Sequence, residues 1–185
     1  MIPISEVEGL TLGPVTEKLT RAASTEGWLD DEAENRQQGY GKGFEGREHA
    51  RMGLLNLLER ENLDSDFGLI GVYLSENPVG FVGIDLITEH KIADIYFYIA
   101  PKSRRKGLGS AVLNFILNKV FDGGMYRVQI DILRINKGGL QFLRGFGFTW
   151  ESTKKSAYWM DKNVYDVAHL RLLRPDWTKL QEESE

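Results

Sequence analysis

The residues of "IAPKSRRKGLGSAVL" have the types and spacing to hold an anion. Arg104, Arg105 and Lys106 carry full positive charge, and Gly107, Leu108, Gly109 and Ser110 follow them. The stretch joins an apolar run ending at Ile99 to a helix-periodic run starting at Leu108. A helix amino terminus leaves its first N–H groups without intrahelical partners, and the helix dipole adds partial positive charge. An anion binds well there, and glycine lets it approach the backbone. The pattern R-x-x-G-x-G is neither the P-loop nor the dinucleotide fingerprint. A purely structural turn is the competing reading, and the setting between strand and helix favours the anion.

Elements must position such a turn, and composition bounds which elements are available. The chain has 185 residues, 42% hydrophobic and 11% aromatic, which suits one domain with its own core. Net charge is -4, so a basic cluster here points to a small anionic ligand and away from nucleic acid. There are no cysteines, which excludes disulfides, thiolate metal sites and a cysteine nucleophile. His49, His90 and His169 lie far apart with no HxxxH pair, so no metal site is expected. No apolar run approaches the ~18–20 residues of a membrane span. The acidic start "MIPISEVEGL" lacks a signal-peptide pattern, so a cytoplasmic protein is expected with no membrane partner. A homodimer is left open.

A strand is expected at residues 9–13, then a helix with Pro14 at its first position and Glu17 in its first turn. Residues 30–46 are polar and glycine-rich and read as a lid or surface loop, with Tyr40 as a substrate contact. Residues 47–62 have helical spacing. Strands are expected over 67–74, 79–87 and 92–99, joined by the short polar links "SENP" and "TEHK" as antiparallel hairpins. Leu108, Ala111, Val112, Phe115, Ile116 and Val120 make one helical face, stopped by Asp122–Gly124. A strand at 126–133, a glycine-weakened helix at 137–146 and strands at 148–153 and 164–173 complete the chain. The order is β-α-α-β-β-β-α-β-α-β-β in one mixed α/β domain spanning residues 9–177. An acidic tail, 178–185, follows.

The run "YIAPKSRRKGLGSAVL" resembles the acyl-CoA signature of the GCN5-related N-acetyltransferases (GNAT), in which a strand ending V-x-P leads into [QR]-x-x-G-x-[GA]. Ile99, Pro101, Arg104, Gly107 and Gly109 occupy those positions. Downstream, "NKGGLQFLRGFGF" resembles the family's N-x-x-A-x-x-x-Y-x-x-x-G-F, with Asn136, Gly147 and Phe148 in place. The tail "YDVAHLRLLRPDW" resembles the ribosomal-protein-type branch. The resemblance implies the GNAT fold, a mostly antiparallel sheet whose central parallel strands splay. It also implies acetyl-CoA as acyl donor. The amides from Arg105 to Ser110 would take the pyrophosphate, ringed by Arg104 and Lys106. The backbone at Ile99 and Ala100 would pair with the pantetheine arm, an N–H near Ile99 would polarise the thioester carbonyl, and Asn136 would touch the arm.

Amine acetylation needs a base for the incoming amine and benefits from an acid for the departing thiolate. On the strand 92–99, alternation puts Asp94, Tyr96 and Tyr98 on one face. The resemblance makes Asp94 the candidate base, and a bulge in the strand, common in the family, would change its face. The family's acid, a tyrosine, is Leu143 here; Tyr98, Tyr158 and Tyr165 are the substitutes considered, and Tyr98 is taken with Asp94 as the catalytic pair. Gly139, where the family has alanine, is expected to loosen its helix. His169 reads as packed or surface and not as a base, and His49 as solvated. The expected function is transfer of acetyl to a primary amine, such as a protein amino terminus, a polyamine or another small amine, by direct attack. The acidic residues 30–34 would suit a cationic acceptor. The rivals are a CoA-binding sensor without turnover, supported by Leu143, and a nucleic-acid binder, opposed by net charge.

Overall fold

The computed structural model describes residues 1–25, 28, 67–160 and 163–183, with the side chains of residues 24, 25, 67, 159 and 160 outside that description. The expected loop 30–46, with Tyr40 and the acidic residues 30–34, and the expected helix 47–62, with His49, lie outside the described residues. Eight strands form one sheet. They are β1 (Ile2–Pro3), β2 (Leu10–Pro14), β3 (Phe67–Leu74), β4 (Asn77–Ile87), β5 (Ile92–Ile99), β6 (Arg127–Leu133), β7 (Thr149–Met160) and β8 (Asn163–Leu173). The sheet order is β1-β2-β3-β4-β5-β6-β8-β7. The described helices are α1 (Glu17–Thr25), α2 (Leu108–Asp122), α3 (Lys137–Gly145) and α4 (Arg174–Glu182).

All neighbouring pairs are antiparallel except β5 with β6. That parallel pair is joined only at Ile92–Arg127, Ala93–Val128 and Asp94–Gln129. Beyond Asp94 the two strands part, and the sheet contains a wedge. Strand alternation assigns the faces on either side of it. Ala93, Ile95 and Ile99 pack with Leu108, Val112 and Ile116 of α2 and with Leu140 and Leu143 of α3. Phe81 and Tyr98 point the other way and pack with Leu19 and Ala23 of α1 and with Trp28. The strands β3 to β5 are therefore apolar on both faces, which is why their sequences alternate only weakly.

Several elements depart from the sequence expectation, and β1 is not among the expected strands at all. Pro14 ends β2, where its carbonyl accepts from the Tyr73 hydroxyl at 2.7 Å. The helix starts three residues later because the Thr16 hydroxyl accepts from the Leu19 N–H, capping the first turn. The strand β7 runs on to Met160 with two register shifts against β8. An additional helix, α4, begins at the Arg174–Pro175 step and continues through the expected start of the tail. Its Trp177 is buried between Phe121 and Phe146. Gly139 has a packing reason: a Cβ there would lie 2.5 Å from Ile132 Cδ1 and 2.8 Å from Asn136 Nδ2. The residue seats α3 closely against β6, and the expected loosening is answered by that contact.

Candidate active site

The anion-binding turn is built by left-handed backbone. A 3-10 turn at Pro101–Ser103 follows β5, then Arg105 at φ 58° and Gly107 at φ 78° curl the chain into α2. The first intrahelical bond runs from Ala111 N–H to Gly107 O, so the amides of Leu108, Gly109 and Ser110 precede it. Among the described residues, no backbone carbonyl accepts from the amides of Arg105, Lys106 or Gly107. A Cβ on Gly107 would meet nothing within 4 Å and would point into open space at the helix start. On Gly109 it would make ordinary contact with Phe97 and Phe142, at 3.6 and 3.7 Å. Arg105, Lys106 and Ser110 are exposed beside them.

Two neighbours of that turn are turned inward. Arg104 folds back: its Nε donates to Ile99 O at 2.7 Å, its guanidinium lies 5.5 Å over the Tyr98 ring, and its N–H donates to Pro101 O. Its side chain clamps the strand end. The Ala100 N–H donates to Val79 O at 2.8 Å and so is not available to an added strand. That bond also sets which groups face the wedge. The β4–β5 register is continuous from Gly80–Ile99 to Ile87–Ile92, with no bulge. In an antiparallel pair, bonded and non-bonded positions alternate. With Ala100 bonded to β4, Tyr98, Tyr96 and Asp94 are too. The odd-numbered amides of Phe97 and Ile99 therefore turn toward the gap left by β6. Phe97 was missing from the sequence expectation, which had no means to tell odd from even amides.

Asp94 sits at the closed end of the wedge, on the face opposite α2. Its register partners are Asp85 on β4 and Gln129 on β6. Burial pushes its carboxyl above the usual carboxylate range; the Gln129 hydrogen bond opposes this, while Asp131 and Asp85 push it further up and His169 pulls it down. Tyr98 does not join it. The Tyr98 ring is buried, stacked on Phe81 at 5.4 Å, and its hydroxyl donates to Trp28 O at 2.7 Å. The structure thus holds the Tyr98 phenol proton on a backbone carbonyl in an apolar cluster and does not bring it together with Asp94. Leu143 is buried in the main core. Tyr158 and Tyr165 pack with Leu133 and Val167 near the far end of β6.

Asn136 is buried and caps α3, accepting from the Gly139 N–H at 2.8 Å. His169 is more connected than its sequence setting suggested. Its Nδ1 lies 2.6 Å from Asp131 Oδ1 and its Nε2 lies 3.0 Å from Arg127 Nη2. The run "RVQIDI" carried a signal for this cluster, because alternation puts Arg127, Gln129 and Asp131 on one face and Val128, Ile130 and Ile132 on the other.

A sheet that splits between two parallel strands, with an anion-ready turn at one mouth and a raised carboxyl at the closed end, defines an acyl-transfer fold. The chain belongs to the acetyltransferase (GNAT) family, whose model matches residues 25–148. It is similar in fold to a spermidine N-acetyltransferase from Vibrio cholerae solved with CoA and spermine, at 17% identity and TM-score 0.77, over 93% of this chain and 99% of that one. It is also similar to RimL, a ribosomal L7/L12 alpha-N-protein acetyltransferase solved with coenzyme A, at 17% identity and TM-score 0.76, over 93% and 97%. A probable GNAT acetyltransferase from Chromobacterium violaceum matches at 22% identity and TM-score 0.75, over 93% and 91%. Among the described residues, no helix is long and apolar enough to cross a membrane.

Proposed function

We propose that this chain transfers acetyl from acetyl-CoA to a primary amine by direct attack, with no enzyme-bound acyl intermediate. The observation that carries the reading is the wedge: β5 and β6 part after Asp94, and the amides of Phe97 and Ile99 face the gap. The residues fit the donor. The amides of Arg105 to Ser110 receive the pyrophosphate in the space that a Gly107 side chain would fill. Lys106 and Arg105 add charge at the rim. Phe97 and Ile99 offer N–H groups to the pantetheine arm and to the thioester oxygen, where donors aimed at developing charge are worth ~2.7–4 kcal/mol each. Asn136 holds α3 beside the β6 arm of the wedge. Coenzyme A, when bound, supplies an activated acetyl group; the chain's own task is to hold it and take a proton. Asp94 does the latter, because a carboxyl on the face opposite α2 with raised proton affinity is a better acceptor for the ammonium proton than an ordinary one.

The acceptor is an amine of the kind handled by the fold relatives, a polyamine or a protein amino terminus. A sensor that binds CoA without turnover is the second reading. It is favoured by Leu143, buried where the family's acid would stand, and by the Tyr98 hydroxyl, which is engaged by a backbone carbonyl. One experiment separates the two. Calorimetry with CoA, and thiol release from acetyl-CoA across spermidine, amino acid amides and peptide amino termini, are measured for wild type and Gly107→Val. The expected result is saturable binding and thiol release by wild type, with binding lost in the folded variant. Binding without release for every amine supports the sensor. Unchanged affinity in Gly107→Val overturns the phosphate cradle.

A further inference from the structure

A directional hydrogen-bond chain crosses the sheet behind Asp94, using three side chains that the proposed reaction does not touch. Arginine can only donate. Arg127 Nε donates to Gln129 Oε1 at 2.8 Å, and Gln129 stands beside Asp94 in the parallel β5–β6 register, so with the amide oxygen engaged the NH2 is the end left for Asp94. Arg127 Nη2 lies 3.0 Å from His169 Nε2; in the neutral ring that nitrogen accepts and the ring proton sits on Nδ1. Nδ1–H then donates to Asp131 Oδ1 at 2.6 Å. The far ends are anchored. Lys154 Nζ donates to Asp131 Oδ2 at 2.5 Å, and Glu151 receives Arg127 Nη1 at 3.0 Å and pairs with Arg171 Nε at 3.3 Å.

We propose that Arg127 and His169 are positioning residues for Asp94: together they lock the Gln129 amide so that its NH2 donates to the Asp94 carboxylate and aims that carboxylate at the incoming amine. The inference rests on the reading of Asp94 as the base. A protonated His169 would no longer accept from Arg127 and would turn its Nε2–H toward Glu151 Oε2, 3.6 Å away, which opens the chain at its middle. The charged and titratable groups facing these residues are Asp85 from β4, Asp131 from β6, Glu151 and Lys154 from β7 and Arg171 from β8.

The test uses the full chain and two readouts. The first is carboxyl carbon NMR of labelled protein, with Asp94→Asn assigning the Asp94 signal, which needs no acceptor. The second is thiol release from acetyl-CoA against pH, with spermidine and with a peptide amino terminus. His169→Leu removes both ring nitrogens. Arg127→Lys keeps the charge but cannot bridge Gln129 and His169. His169→Gln can accept from Arg127 and donate to Asp131. In His169→Leu and Arg127→Lys, Asp94 should titrate at higher pH than in wild type, because a hydrogen bond to the carboxylate is lost. The acid limb of kcat/KM should move with it, and kcat should fall by about tenfold with KM little changed. His169→Gln should restore most of both. Folding is followed by thermal melts, and His169→Gln and Arg127→Lys keep the test alive if His169→Leu does not fold. An Asp94 titration identical in all folded variants overturns the proposal. Thiol release indifferent to Asp94→Asn overturns the base reading instead, while the titration still reports on the chain.

Discussion

Asp94, the proposed base, sits where like charges gather. Its carboxyl stands directly across from Asp85 and shares a face with Asp131, which Lys154 and His169 hold ionised against the effect of burial. Like charges at such spacing are destabilising. Because burial and these neighbours raise the folded-state affinity of Asp94 for a proton above the ordinary 3.8, the destabilisation is absent at low pH. It grows as pH rises through the folded value and then stays constant. Asp94→Asn should therefore be more stable than wild type near pH 7, and the gap should close as the pH falls to about 4. Thermal melts across that range check it; an equal difference at all pH values contradicts the sign. Tyr98, by contrast, stabilises the packing around Trp28, and its hydroxyl is engaged by a backbone carbonyl.

At the scale of elements, α3 depends on how closely it sits against β6. Asn136 caps it, and the cap holds only while Gly139 leaves room for the Asn136 amide and for Ile132. Gly139→Ala has two opposed effects. Helix propensity favours alanine by ~1 kcal/mol, but its methyl would stand where Ile132 Cδ1 and the Asn136 amide already are. Such contacts require movement, and overpacking of this kind costs about 1–3 kcal/mol. The second effect should win, giving net destabilisation in a urea titration and looser binding of CoA in calorimetry. Greater stability with unchanged CoA affinity would show that the cap tolerates the shift. The turn before α2 follows a similar logic. Gly107 pairs a left-handed φ with an open Cβ direction, and Arg105 takes the same handedness at some cost.

At the scale of the whole molecule, the carboxyl-terminal helix closes the main core. Trp177 is buried against Phe121 and Phe146, with its Nε1 donating to Asn118 Oδ1 at 3.0 Å. A Cβ on Gly147 would fall 2.3 Å from Leu180 Cδ1, so Leu180 sits on the backbone at the start of β7. A chain ending at Trp177 would lack Leu180 and the last turn of α4. Loss of one buried leucine side chain costs about 2–5 kcal/mol; Leu180 is only partly buried, so the low end is expected. The truncated chain should melt several degrees below the full one. An unchanged melting temperature would restore residues 178–185 to the frayed tail expected from their composition.

The local pattern was enough to place β3, β5 and α2 at their ends, because period-2 and period-3.6 runs bounded by glycine, proline and polar turns are local properties. It also put Asp94 on the face of Tyr98 and picked out the turn at Arg105–Ser110. Helix α4 was missed although Pro175 stood at a favourable first-turn position, because its short apolar content makes sense only against Phe121 and Phe146. Which amides of β5 face the wedge, and that Arg104 turns back on Ile99, followed from hydrogen bonds to β4 and within the turn. The chain from Asp94 through Gln129, Arg127 and His169 to Asp131 joins β5, β6 and β8. Its members lie up to 75 positions apart, from Asp94 to His169. No local rule brings them together; the crossover that lays β8 beside β6 does.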